Sequence, residues 1–168
     1  MPILASEIQF FKSTAVGSDS IPSLGGAITT NQITDGLLND LFDDVSAAES
    51  TTGRTEYRCI YIQNKNAGGL VLQLAELFID TNAPNANVNC AIGLDPAGAN
   101  AVATTIADEV TAPAGVVFTE PDSLSQLALG DLAQDEFYAF WIRRTVSPGA
   151  TASAADSLTL GVQGASDP

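Results

Sequence analysis

Adjacent carboxylates are the residues of this sequence with the clearest chemical potential: Asp43-Asp44, Asp108-Glu109 and Asp135-Glu136. Glycoside hydrolysis needs only a pair of Asp or Glu side chains, one as acid and one as base or nucleophile. It also needs an apolar pocket that raises the pKa of one of them. Asp108-Glu109 and Asp135-Glu136 sit beside turns, where neighbouring acids are solvated, so an acid-only hydrolase is the weakest reading of the chain. The chain has no histidine. That removes Ser-His-Asp and Cys-His nucleophile systems, HExxH zinc sites and the usual transition-metal ligand sets. Neither GxxxxGK[ST] nor GxGxxG occurs, so phosphate loops are absent. Cys59 and Cys90 lack CxxC spacing and lie in strand-like runs, where buried free thiols are expected. No catalytic residue and no cofactor is expected. Asp43-Asp44, Asp80 with Asn82, Asp95 and Asp108-Glu109 offer oxygens to Ca²⁺, but none fits an EF-hand loop. A Ca²⁺ site gathered from separate loops stays open, with no ligands to name.

The charge balance narrows the partners. Twenty acidic residues face six basic ones, a net charge of −14. Nucleic-acid binding draws on Lys and Arg to neutralise phosphates, and this chain has few to offer. An anionic membrane surface is disfavoured for the same reason. No run approaches the roughly 18 apolar residues of a spanning helix. The opening MPILASEIQFFKS lacks a basic region followed by a long apolar one, so synthesis in a cytoplasm is expected. The acidity itself reads as solubility, or as docking on a basic partner.

With so few cations, each can be read alone. Arg54, Arg58, Arg143 and Arg144 lie on or beside probable central strands; Lys12 and Lys65 lie elsewhere. Two readings compete. The arginines compensate Glu56, Asp135 or Glu136 within the chain, or they form bidentate pairs at contacts between subunits. The apolar N-terminal residues Ile8, Phe10 and Phe11 join Arg54, Arg58, Arg143 and Arg144 as candidate subunit-interface residues.

These residues need a scaffold. Only 15% of the chain is charged, and small polar residues fill the difference. That suits an all-β protein with many loops better than a helical bundle. Strands are expected at 56–64, 70–80, 88–94, 102–107, 116–118 and 157–162, with turn signals between them. In 56–64, Tyr57, Cys59 and Tyr61 share one face and Arg58, Ile60 and Ile62 the other. In 70–80, Leu72, Leu74 and Glu76 share a face; in 88–94, Val88, Cys90, Ile92 and Leu94 point inward. Residues 127–136 read as a corner before the richest strand, FYAFWIRR. There Phe137, Ala139, Trp141 and Arg143 alternate with Tyr138, Phe140, Ile142 and Arg144. Both faces are apolar until the arginines, so this strand is expected to be covered on both sides. Its aromatic cluster reads as core, with a ligand or glycan platform as the sharper alternative.

Residues 1–52 differ. They alternate short apolar runs with Gly, Ser and Asp, and hold possible strands at 6–11 and 28–33 and a loop or single helical turn over 37–45. The segment reads as an extended N-terminal arm lying on its own sandwich or on a neighbouring subunit. An arm of the second kind is dispensable for folding. Residues 53–164 then form an antiparallel β-sandwich of immunoglobulin-like or jelly-roll-like connectivity, and 165–168 a tail.

Several blocks taken together resemble small acidic virion proteins of tailed bacteriophages. They are MPILASEIQFFKS, LGGAIT, LFDDVSAAESTTGRTEYRCIYIQN, IADEVTAPAGVVF and LGDLAQDEFYAFWIRRTVSPGA, in that order over most of the chain. The resemblance implies a non-enzymatic part of the virion, of head-decoration or head–tail neck (collar) type. Its implied partners are other copies of itself and other phage structural proteins of the capsid, portal, connector or tail. The competing reading is a carbohydrate- or receptor-binding sandwich of a tail or baseplate, which requires exposed aromatic rings.

Overall fold

The computed structural model describes residues 2–16, 23–151 and 156–166. Among them are a 3-10 turn (Ala5–Glu7), one short helix, α1 (Ala47–Thr52), and the strands β1 (Ile8–Ser13), β2 (Ile28–Gln32), β3 (Arg54–Asn64), β4 (Leu72–Thr81), β5 (Val88–Ala99), β6 (Leu127–Leu132), β7 (Phe137–Val146) and β8 (Thr159–Ser166). They form two antiparallel sheets, ordered β2-β1-β3-β7-β5 and β6-β4-β8. The fold is the expected antiparallel β-sandwich.

The alternation read in β3 and β7 builds the core. The two strands pair over their whole length, from Arg54↔Val146 to Gln63↔Phe137. Ile60, Ile62, Phe140 and Ile142 face the smaller sheet and pack on Leu72, Ala75, Leu77, Ile79, Leu129 and Leu132. Cys59, Tyr61, Ala139 and Trp141 face away from it, against Phe11, Leu24, Ala103 and Ile106. The larger sheet is therefore covered on both faces, as its sequence requires. One cover is a sheet; the other is irregular chain from 23–26 and 100–119.

That irregular cover replaces two expected strands. Residues 102–107 hold only the isolated bridge Gly26↔Ala103, 116–118 hold none, and the next residue, Thr119, bridges Ile92. They cross the sheet too closely to run as a layer of their own. A Cβ on Gly25 would lie 1.7 Å from the Thr104 carbonyl oxygen, and one on Gly93 2.5 Å from that of Val117. Gly25 also has φ +90, which glycine adopts without strain.

Two further expectations change. Residues 127–132 are a strand, not a corner, paired to β4 from Leu77↔Leu127 to Leu72↔Leu132. In β4 the register shifts between Leu72 and Ala75, with Leu74 at φ 50 and its N–H donated to Asp131 Oδ1 at 2.8 Å. The extra residue turns Leu74 outward, 75% exposed, so the inward set is Leu72, Ala75, Leu77 and Ile79 rather than Leu72, Leu74 and Glu76. Residues 37–45 form a loop, one of the two readings of that segment, and α1 begins after them. Ser46 Oγ accepts the Glu49 N–H at 3.3 Å while Glu49 Oε2 accepts the Ser46 N–H at 2.8 Å, a capping box that the sequence SAAE spells out.

The N-terminal segment is built into the sandwich. β1 lies between β2 and β3, pairing from Ile8↔Asn64 to Lys12↔Ile60. It is an interior strand, so Ile8–Ser13 belongs to the sandwich itself and is not an arm laid over its surface.

Candidate functional site

Where the β3–β7 pair nears its Arg54 and Val146 ends, the sheet carries a group of opposite charges. Glu56 and Arg144 are cross-strand partners. Glu56 is 1% exposed; its Oε2 accepts from both Nε and an Nη of Arg144, the Nε bond being 2.9 Å. Its Oε1 accepts from Arg54 Nε at 2.9 Å. Arg54 also meets Glu49 at 3.0 Å and donates an Nη to Glu109. Burial works against the Arg54 charge, yet the hydrogen bonds to Glu109 and Glu56 outweigh it and raise its pKa. Arg58, fully buried, donates to Glu109 Oε2 at 2.7 Å and to the carbonyls of Leu41 at 3.0 Å and Tyr57 at 3.2 Å.

This network clamps loops to the sheet. Arg144 donates to the Asp43 carbonyl at 2.8 Å. The Phe42 ring lies under both Arg144, at 4.6 Å, and Arg58, at 5.4 Å. Glu49 brings in α1, and Glu109 brings in the chain beyond residue 107. A second clip holds the same 33–46 segment to β1: Lys12 Nζ lies 2.6 Å from Asp40 Oδ1, and Asp40 Oδ2 accepts the Thr34 N–H at 2.8 Å.

Of the candidate interface arginines, Arg54, Arg58 and Arg144 are thus paired within the chain, Glu56 being one of the partners expected. The others, Glu49, Glu109 and Asp43, are not neighbours that spacing reveals. Arg143 is different. No acid pairs with it among the described residues; its guanidinium lies 5.3 Å from the Phe118 ring centre and its Nε is buried without a hydrogen-bond partner. Ile8, Phe10 and Phe11 separate. Phe11 is buried in the outer cluster around Trp141. Ile8 and Phe10 are half-buried and turn the other way, Phe10 meeting Phe140 edge-on at 6.0 Å.

Ile8 and Phe10 line a groove of about 510 Å³ along one side of the sandwich. Ile3, Leu4 and Ala5 form one wall; Leu72, Leu160, Val162 and Gly164 form the other. The β8 half of this groove was not foreseen. Its only signal is that TLGVQGAS contains no charge, and it lies far along the chain from Ile8.

The remaining candidates have structural partners. Glu109 is held by arginines, and Asp108 accepts from Val110 N–H and Thr111 Oγ. Asp135 pairs with Lys65, and Glu136 accepts from Ala133 N–H and Asn100. Asp95 accepts from Trp141 Nε1 at 2.8 Å and from the N–H groups of Ala97 and Thr104. Among the described residues no three His, Cys, Asp or Glu side chains are placed to hold a metal ion. Trp141, Tyr61 and Phe140 are all fully buried, and Phe137 and Tyr138 are half-buried. No helix of the described residues is long and apolar enough to cross a membrane.

No protein-family model matches the chain, and neither a curated protein nor a solved structure matches it.

Proposed function

We propose that this chain is a non-enzymatic structural component of a tailed-phage virion. In this reading it assembles in many copies at the head–tail neck (collar) or on the capsid surface. The proposal rests on the resemblance to small virion proteins read from the ordered blocks of the sequence. The two most specific blocks are residues 42–64 and 129–146. They contain β3 and β7, the paired strands at the centre of the larger sheet, so the resemblance runs through the core of the fold and not through an isolated loop. The charge network supports the same reading. Arginines spent on internal clamps make a rigid block with tied-down loops, and many modest contacts between such blocks add up by multivalency.

The test is the composition and imaging of purified particles from the host that carries this gene. The expected result is many copies at one vertex or over the shell. A chain that is made in the infected cell but never found in particles removes the proposal.

The alternative, a glycan-binding module of a tail, needs rings open to solvent, and Trp141 has none of its surface exposed. Iodide that quenches Trp141 fluorescence in the native protein, with protection on adding sugar, would favour that alternative.

A further inference from the structure

β8 is an edge strand without a charge or a proline, although its pairing with β4 shifts register between Gln73 and Glu76 and between Ile79 and Thr81. Among the described residues it pairs with β4 on one side only. Exposed edges are normally blunted by lysine, proline, bulges or a covering segment. Two of the other edges follow that rule: β6 carries Asp131 opposite the Leu74 irregularity, and β5 carries Pro96 and is bridged by Thr119. β2, ITTNQ, also lacks charge and proline, but four of its five residues are polar. β8 reads TLGVQGAS, with no charge and no proline. Leu160 and Val162 remain half-exposed on its inward side, at the groove that Ile8 and Phe10 line.

We propose that β8 of one chain pairs antiparallel with β8 of a second copy, joining two three-stranded sheets across a two-fold axis and closing both grooves. Charge selects this occupant. At −14 per chain, two copies repel wherever acids meet. Five of the six cations, Lys12, Arg54, Arg58, Lys65 and Arg144, already pair with acids of their own chain, so they offer a neighbour little attraction. β8 and the groove residues contain no ionisable side chain. The carboxylate of Glu76 on β4 accepts from Gln163 Nε2 at 2.8 Å, so β8 offers a basic partner no acid of its own, whereas a second β8 brings a matching uncharged edge. Strand addition satisfies the free N–H and C=O groups, and an antiparallel pair of identical strands is two-fold by construction.

This inference deepens the self-association in the proposed function. It concerns the purified chain, so the two can fail separately. Sedimentation of the full chain over a concentration series is expected to show reversible conversion to twice the monomer mass. Thr159 and Ala165 are exposed. The T159K/A165K variant is expected to weaken association at least tenfold with its thermal transition unchanged, while T30K on the β2 edge leaves association intact. If T159K/A165K does not fold, hydrogen exchange on the unaltered chain decides: β8 amides must become more protected as concentration rises. A chain that stays monomeric throughout, or a dimer that T159K/A165K or the exchange pattern leaves indifferent, overturns the inference. A monomer that still joins particles overturns it and leaves the proposed function standing; a β8 dimer never found in particles does the reverse.

Discussion

Glu56 and Arg144 face one another across the β3–β7 pair, and the carboxylate of Glu56 is shared between Arg144 and Arg54. The position is buried, so the cost of desolvating the acid is recovered only while both cations stay in place. Replacing Glu56 by alanine leaves Arg144 and Arg54 short of a buried partner. The expected loss is about 3–5 kcal/mol, the range for breaking one side of a buried pair. Glu56→Gln, which keeps an oxygen acceptor, should lose less. Urea denaturation of the two variants checks this; a loss under about 1 kcal/mol for Glu56→Ala would mean the pair behaves as a surface ion pair.

The Lys12–Asp40 clip gives a dependence on pH. Burial pushes the Asp40 carboxyl up, but hydrogen bonds from Lys12 and the Thr34 N–H, with the Lys12 charge, outweigh it and hold the pKa below its ordinary 3.8. A folded pKa below the unfolded one means stability that is present above about pH 3.8 and lost as pH falls through the folded value. Glu49 acts in the same direction: burial opposes, while Ser46, Arg54 and Arg144 hold it below 4.5. Asp40→Asn should therefore be less stable than the parent at neutral pH, and the gap should close in acid. The expected gap is about 1.5–3 kcal/mol, as for a charge-assisted hydrogen bond. Paired denaturation curves across the acid range show it; a gap that widens on acidification contradicts the sign.

Both thiols are buried. Burial, the largest influence on each, pushes Cys90 up to about 11 and Cys59 higher still. The thiolate is the reactive form. Alkylation at mildly alkaline pH should thus be slow in the native protein and should accelerate in step with unfolding as denaturant is added. Fast labelling of either cysteine without denaturant would show that its strand opens locally.

Much of the sandwich is legible in the residues because period-two alternation is a local signal. Cys59, Tyr61 and Trp141 against Ile60, Ile62 and Phe140 divide into the two clusters that their parity requires. What escapes is set by contacts between distant residues. Leu74 leaves the alternation because Asp131 takes its N–H. Gly130-Asp131 looks like a turn, yet it runs within β6 with Gly130 at φ +83. Residues 100–119 have strand-like composition but lie across a sheet and not beside one. The charge network is half legible. Glu56 sits two positions from Arg54 and Arg58, while Glu109 reaches Arg58 across 51 positions. The SAAE capping box is fully local, though the segment around it has the irregular composition of an arm.

Gly93 tests the irregular layer directly. It pairs with Trp141 on β7, and the carbonyl of Val117 passes directly above it. A Cβ at this position would stand 2.5 Å from that oxygen and 2.6 Å from Val116 Cγ1. Backbone cannot yield as a flexible side chain can, so Gly93→Ala must push 116–119 off the sheet. The two hydrogen bonds that bridge Ile92 and Thr119, 2.8 and 2.9 Å long, would stretch with it. Overpacking of this kind costs about 1–3 kcal/mol. Gly68→Ala is the control, since its Cβ would meet nothing closer than 3.8 Å. Gly93→Ala should lower the thermal midpoint, speed hydrogen exchange at Ile92 and Thr119, and open Trp141 to acrylamide; Gly68→Ala should do none of these. Equal stability of the two variants would mean that the 116–119 crossing is not packed on β5.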